Sequence, residues 1–271
     1  MHTNPLSPSA RAFDAVAPKF DERFGGWLSV AAQRRAVRAA LVRAFPSGSR
    51  VLEIGGGTGE DACWLSANGR DVLLTDPSPA MVRIATAKLA SFRGPAPVAL
   101  AAEHLDELAS SRGRARMPAF DGAFSNFAAL NCVLDLAPVA HALSRLVRPG
   151  GQLALVVFGT MSPGEWIVQL ARRSPRAAVR RVARGDVPAR LGGNSFPIRY
   201  HRGRDIRAAF APYFAPVRKI GIGIFVPPSA AEPWISQWPR CVALLEGMDR
   251  LARRPLASLG DHVLYQFERL P

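Results

Sequence analysis

This sequence predicts an α/β fold: a mostly parallel sheet with helices on both faces. Three observations carry that prediction. Short apolar runs alternate with helical stretches over residues 50–158. A glycine loop, Gly55-Gly56-Gly57-Thr58-Gly59, follows the first apolar run and opens the first helix. An aspartate, Asp76, closes the second run. With 271 residues, 48% of them hydrophobic, one large domain with a sizeable core is expected. No run of about 18 apolar residues occurs. Residues 1–10 are polar, without the apolar stretch of a secretory signal.

Residues 1–10 read as a loose tail. Phe13, Val16 and Phe20 start a helical stripe that Trp27, Leu28, Ala31, Ala32, Val37, Leu41 and Phe45 continue, so 12–45 is helical. Pro46-Ser47-Gly48 ends it. The first strand is 51–54, and its helix is 60–67, stopped by Asn68-Gly69. The second strand is 71–75, the second helix 79–90 and the third strand 98–102. Residues 110–118 read as a polar, Arg-rich loop. A fourth strand at 121–125, a helix at 137–147, a turn at Arg148-Pro149-Gly150-Gly151 and a fifth strand at 153–158 follow. The alternation then breaks. Residues 160–200 read as an insertion with helices at 165–173 and, from Ser174-Pro175, up to Gly185. A helix at 204–210, a strand at 217–226, a mostly helical stretch at 230–251 and a last strand at 262–267 complete the chain.

The glycine loop lets a ligand approach the backbone, because glycine has no Cβ. Asp76 can accept hydrogen bonds from both hydroxyls of a ribose. A dinucleotide fingerprint requires a glycine at 60, where Glu60 stands, followed by Asp61. Two carboxylates at that helix start would repel a pyrophosphate. S-adenosylmethionine carries no phosphate and brings cationic groups, so this charge argument selects it over a dinucleotide.

Taken together, these motifs resemble the class I S-adenosylmethionine-dependent methyltransferases, in particular their small-molecule, ubiquinone/menaquinone-type branch. Val51 to Gly59 resembles the first motif, Asp76-Pro77-Ser78-Pro79-Ala80-Met81 the acidic loop, and Arg148 to Gly151 the turn before the fifth strand. Phe13-Asp14 through Phe20-Asp21 resembles the N-terminal lid helix. The resemblance implies a Rossmann-like fold with a seven-stranded sheet, N-terminal lid helices and a helical cap insertion before the sixth strand. It divides the chain into tail and lid (1–48), cofactor-binding core (49–159), cap (160–203) and a C-terminal part of the core (204–271). It implies S-adenosylmethionine as cofactor, held by Phe20, Glu53, Gly55, Gly57, Asp76, Pro77, Met81, Glu103 and Asn126. Phe20 stands where many relatives carry Tyr. Asp76 also fits a helix N-cap, Met81 ordinary core, Glu103 a surface acid and Asn126 a turn residue.

Methyl transfer from a sulfonium is an in-line displacement, so positioning does much of the work and a base is needed only for an acceptor that must lose a proton. Tyr200 and His201, at the exit of the insertion, are the expected acceptor contacts. His104, His141 and His262 read as structural or exposed. No cluster has metal-ligand spacing. Cys63, Cys132 and Cys241 read as reduced core thiols, which fits a cytoplasmic protein.

The net charge of +14 comes almost wholly from Arg, with Lys only at Lys19, Lys88 and Lys219, and reads as compositional bias. Arg176, Arg180 and Arg184 recur every four residues and predict one basic helix face for an anionic acceptor or a peripheral contact with an anionic membrane. The expected acceptor is a small or amphipathic organic molecule: aromatic, quinone-like or a lipid intermediate. Nucleic acid is not the expected acceptor, because the text after the fourth strand, Ser125-Asn126-Phe127-Ala128, lacks the Asn-Pro-Pro-Tyr pattern of base-methylating enzymes. A binder that keeps the pocket without turnover remains the other reading.

Overall fold

The computed structural model describes residues 6–115, 119–127 and 129–271, with side chains left aside over 111–115. Three helices come first: α1 (Pro8–Val16), α2 (Phe20–Gly25) and α3 (Leu28–Ala44). The core follows as β1 (Arg50–Ile54), α4 (Glu60–Ala67), β2 (Asp71–Asp76), α5 (Pro79–Leu89), β3 (Val98–Ala99), α6 (Leu105–Ala115), β4 (Phe120–Ser125), α7 (Ala137–Leu146) and β5 (Val147–Phe158). Then come α8 (Pro163–Ala171), α9 (Pro175–Val179), β6 (Asp186–Leu191), β7 (Asn194–Arg199), α10 (Gly203–Phe210), β8 (Phe214–Ile222), α11 (Pro239–Ala252) and β9 (His262–Arg269).

Seven strands form one sheet in the order β3-β2-β1-β4-β5-β9-β8. The first five strands and β8 run in one direction, and β9 lies antiparallel between β5 and β8. The strand order reverses between β1 and β4, which opens a crevice at the carboxyl ends of those strands. One face of the sheet packs Leu52, Ile54, Leu153 and Leu155 against α7 and α10. The other packs Val51, Leu74, Phe124 and Val156 against α3, α4 and α5. Burial on both faces explains why these strands are apolar throughout rather than alternating.

Four elements differ most from the sequence expectation; in addition β3 ends at Ala99 and not at 102, and β8 ends at Ile222 and not at 226. Helix α1 begins inside the expected tail, because Ser7 caps it by accepting from the Ala10 amide and Pro8 takes the first helical position; residues 1–5 lie outside the described chain. Helix α6 covers 110–115 of the expected loop, since Leu105 is buried and Leu108 and Ala109 pack on the core; 116–118 lie outside the described residues. Strand β5 runs through the expected turn, where Gly150 takes φ +72°.

The insertion is the largest difference. Helix α9 has five residues and not the dozen expected, and an antiparallel hairpin, β6–β7, replaces the rest of the helical cap. Leu191 pairs with Asn194 across a two-residue turn, Gly192-Gly193, with φ of +55° and +79°. Both glycines adopt the left-handed backbone that a tight hairpin turn requires. Phe196 and Ile198 of the hairpin pack on Ala12 of α1. Arg176 and Arg184 are exposed, but Arg184 falls beyond α9 and Arg180 lies on a separate 3₁₀ turn, so the expected single basic helix face is not formed.

Of the three thiols, Cys63 and Cys132 are partly buried, whereas Cys241 is exposed and not in the core. Burial pushes the Cys132 thiol up to about 12. Among the described residues no helix is long and apolar enough to cross a membrane.

Phe124 is fully buried between the sheet and α3, with its ring 6.3 Å from that of Phe45. Phe124→Ala is expected to lower the unfolding free energy by about 3–5 kcal/mol in urea titrations; a loss under about 1 kcal/mol would show that this layer is not tightly packed.

Candidate active site

The crevice at the carboxyl ends of the strands is a cleft of about 2130 Å³. Its floor is the glycine loop. The Gly55 and Gly56 amides both donate to the Thr75 carbonyl, at 2.8 and 3.1 Å, which ties the loop to the end of β2. A Cβ on Gly55 would meet that of Ala129 at 2.4 Å, so only glycine fits there. Gly57, at φ +56°, has nothing within 4 Å of its Cβ position and borders the cleft.

Acidic residues surround this loop. Asp76 accepts the Gly57 amide on one carboxylate oxygen and the Ser78 amide on the other, both at 2.9 Å. Each oxygen keeps a lone pair, so the carboxylate can still receive ribose hydroxyls. Burial raises the Asp76 pKa, and the two backbone hydrogen bonds oppose that shift. The helix N-cap is Ser78, whose hydroxyl accepts from the Met81 amide. Glu53 is buried, with its Oε2 unpartnered. Burial first, then the charges of Asp61 and Asp76, push its carboxyl well above the usual range, against the pull of Arg34 and Arg38. A buried carboxyl among acids, with one oxygen unpartnered, is a site that a cation satisfies.

Asp61 is also buried. It accepts from Arg38 Nε at 2.8 Å, Arg34 Nη1 at 3.2 Å and Asn126 Nδ2 at 2.7 Å. Asn126 accepts the Phe127 amide on its other side-chain atom. The Asn126 side chain is thus occupied in shaping the loop after β4, although the residue borders the cleft.

The lid is fastened by Asp14 and Asp21, which the sequence placed in the lid but gave no contact of their own. Asp14 Oδ1 accepts from the Ser78 hydroxyl and the Ala80 amide, both at 2.8 Å. Asp21 accepts from the Thr58 hydroxyl at 2.6 Å and pairs with Lys88 at 2.7 Å. Each follows a phenylalanine that borders the cleft, Phe13 and Phe20. The repeated Phe-Asp pair was the available signal.

All nine residues expected to hold the cofactor border this cleft: Phe20, Glu53, Gly55, Gly57, Asp76, Pro77, Met81, Glu103 and Asn126. Met81 is buried, and Glu103 is exposed on a 3₁₀ turn. Of the two expected acceptor contacts, Tyr200 borders the cleft. His201 is not among the residues of the cleft wall. It is buried, with Nε2 2.8 Å from the Val133 carbonyl, and burial lowers its pKa. His262, read from sequence as structural or exposed, is buried and borders the cleft.

Residues 52–153 match the family model described as a methyltransferase domain. That stretch takes in the glycine loop, Asp76 and β4, so the cleft is built on a methyltransferase domain. No curated protein matches the chain. Among solved structures, an S-adenosylmethionine-dependent methyltransferase from Mesorhizobium loti is similar in fold, with TM-score 0.55, 21% identity, and coverage of 89% of this chain and 100% of that one. The CcbJ methyltransferase of Streptomyces caelestis aligns at TM-score 0.53 and 16% identity, over 86% of this chain and 94% of its own. Geranyl diphosphate C-methyltransferase from Streptomyces coelicolor A3(2), solved with S-adenosyl-L-homocysteine, aligns at TM-score 0.52 and 13% identity, over 88% and 79%.

The residues present fit S-adenosylmethionine as the cofactor of such a domain. Asp76 offers acceptors for hydroxyls, Gly57 leaves room where a side chain would stand, and Glu53 offers an unmatched carboxyl to a cation.

Removing one set of charged hydrogen bonds costs about 1.5–3 kcal/mol, or roughly 10–100-fold in affinity. Asp76→Ala is expected to weaken S-adenosylmethionine binding by about that factor in calorimetry; unchanged affinity would remove Asp76 from the site. Glu53 has a second signature. Its pKa is raised in the free protein, and a bound cation favours its ionised form. Binding therefore releases protons, and affinity rises with pH between the bound and free ionisations. Calorimetry in buffers of different ionisation heat should detect this release, and Glu53→Gln should abolish it. Equal release by both proteins would assign the protons elsewhere.

Proposed function

We propose that this methyltransferase domain methylates a small or amphipathic organic acceptor with an aromatic or similarly planar reacting part. One observation carries the reading: the cleft is larger than one cofactor needs, and its remaining wall is aromatic. Ligand pockets commonly occupy about 300–1,000 Å³, against about 2130 Å³ here. Phe13, Phe127, Phe158, Phe196, Tyr200 and His262 border the cleft. The Phe158 ring lies 5.8 Å from Tyr200 and 4.8 Å from His262, and Phe13 lies 6.0 Å from Phe196. These side chains come from α1, the β6–β7 hairpin and the ends of β4, β5 and β9, so lid and insertion together close on the acceptor.

Charge argues against nucleic acid as acceptor. Among the described residues five arginines border the cleft: Arg34, Arg35, Arg38, Arg180 and Arg190. The first four face carboxylates: Asp61 for Arg34 and Arg38, Glu246 for Arg35, and Glu165 for Arg180. Phosphates would have to compete for cations that are already paired. The same pairing turns Arg180 toward Glu165, which weakens the case for a membrane-binding arginine face on the insertion.

When bound, S-adenosylmethionine supplies a methyl group activated by its positive sulfur. The protein's own part is positional. The Asp14 and Asp21 anchors hold the lid over the glycine loop. Phe13 and Phe20 exclude water from the cleft, and the aromatic wall orients a planar acceptor. Orientation of this kind accounts for much of the rate of an in-line displacement.

The test is transfer of a tritiated methyl group to a panel of phenols, hydroxylated quinone precursors and lipid intermediates, with bulk transfer RNA in parallel. Label is expected in the organic panel and not in RNA. Salt-sensitive labelling of RNA alone would overturn the reading, and binding of NADH in place of S-adenosylmethionine would overturn the cofactor.

A further inference from the structure

We propose that His262, positioned by Asp261 and Gln33, is the general base that takes a proton from the acceptor, and that the acceptor therefore presents a hydroxyl. This rests on the reading that an organic acceptor binds in the cleft.

His262 opens β9, opposite Phe158 at the end of β5. Because β9 runs antiparallel, its first residue lies at the same edge of the sheet as the glycine loop. The imidazole is stacked on Phe158 at 4.8 Å and meets the Phe127 ring edge-on at 5.6 Å. The ring is therefore held on two sides, and Phe127 directly follows Asn126 of the cofactor loop.

Nδ1 lies 3.0 Å from Gln33 Oε1 and 3.1 Å from Asp261 Oδ2. The Gln33 amide is oriented by its own donations, from Nε2 to Asp261 Oδ2 at 3.2 Å and to the Pro227 carbonyl at 3.4 Å. Nδ1 thus faces two acceptors, so it must carry the proton. In the neutral ring the lone pair then belongs to Nε2. Nε2 makes no hydrogen bond among the described residues and is not among the enclosed, unpartnered polar atoms, so it opens onto the cleft that His262 borders. His201, the base candidate from sequence, has its Nε2 engaged by a carbonyl.

The surrounding charges suit a base that becomes cationic. Asp261 is buried, and Arg181 donates to its Oδ1 at 2.8 Å and to its carbonyl at 2.8 Å. Burial alone would raise Asp261, but Arg181 and His262 outweigh it and hold the carboxyl well below the usual range. The negative charge beside the ring is therefore permanent. Glu165 pairs with Arg181 and Arg180, Tyr200 lies against Phe158, and Arg34 stacks over Phe127 at 4.8 Å. These groups complete the charged and titratable surroundings of the ring.

The step balances. The acceptor O–H gives its proton to Nε2, and its oxygen lone pair forms the new C–O bond to the methyl carbon. The C–S bond breaks with its electron pair remaining on sulfur, which leaves neutral S-adenosylhomocysteine sulfur and a methyl ether. The imidazolium returns its proton to solvent when products leave.

Two measurements test the proposal. Nitrogen-15 NMR of histidine-labelled protein without acceptor should show His262 protonated at Nδ1 and bare at Nε2 at pH 8; an Nε2–H tautomer overturns it. The second is the pH profile of kcat/KM with catechol and 4-hydroxybenzoate ester acceptors, for wild type and His262→Asn. Asparagine keeps a donor at the place of Nδ1 and removes Nε2. The wild-type rate should fall about tenfold per pH unit on the acid side. His262→Asn should lose that limb and about 10²–10⁴-fold in rate, with cofactor affinity within twofold of wild type. Methylated hydroxyls with the acid limb intact in His262→Asn overturn the base but leave the acceptor reading standing. Cofactor binding with methyl transfer only to acceptors lacking a hydroxyl overturns the hydroxyl assignment.

Discussion

The buried carboxylate of Asp61 joins α3, α4 and the loop after β4 at a single point. Leaving such a charge unpaired costs several kcal/mol, and removing one partner from a buried pair costs about 3–5 kcal/mol. Its partners, Arg34, Arg38 and Asn126, meet it only if α3 crosses the start of α4 and the chain turns sharply after β4. Phe127, with φ +46°, marks that turn. From this junction follow the position of the lid, which leads into α3, and the orientation of Gln33 one residue before Arg34. After burial, the same charge is the next cause that pushes the Glu53 carboxyl above its usual range. Through Asn126, Asp61 thus connects the floor of the cleft to its aromatic wall at Phe127.

A second theme is how polar groups divide between anchoring and recognition. In each lid Phe-Asp pair the aromatic ring borders the cleft while the acid fastens the helix to the loop beneath it. Ser78 caps α5 and also donates to Asp14, so one residue sets both a helix start and a lid contact. Arg181 does similar work for the insertion. Together with Glu165 and Asp261 it forms an ionic group between α8 and the start of β9, where both its partners are needed to offset its desolvation.

The insertion shows how a local pattern loses to packing. Arg176, Arg180 and Arg184 have helical spacing, and the alanines around them favour a helix. Yet the apolar residues that could cover α1 stand at 196 and 198, with the alternation of a strand. Pairing β6 with β7 buries Phe196 and Ile198 against Ala12 and satisfies the backbone of both strands. A longer helix would have left that side of α1 uncovered. Gly192-Gly193 is the local sign of this outcome, and the arginine spacing obscured it.

The sequence by itself determined the parallel α/β core, the glycine loop, the acid after β2 and the preference for S-adenosylmethionine over a dinucleotide. Those features rest on short-range rules: apolar runs of strand length, glycines where a Cβ collides, and carboxylates unsuited to a pyrophosphate. All nine residues of the expected cofactor set border the cleft. Tertiary structure alone decided which side chains line the rest of the cleft. His262 stands 229 residues from Gln33, and no spacing along the chain signals that pair. His201 looked reactive beside Tyr200, but a backbone carbonyl takes its nitrogen. Whether a histidine stores a proton or only packs depends on what faces each ring nitrogen, and that is settled when distant strands and helices meet at one edge of the sheet.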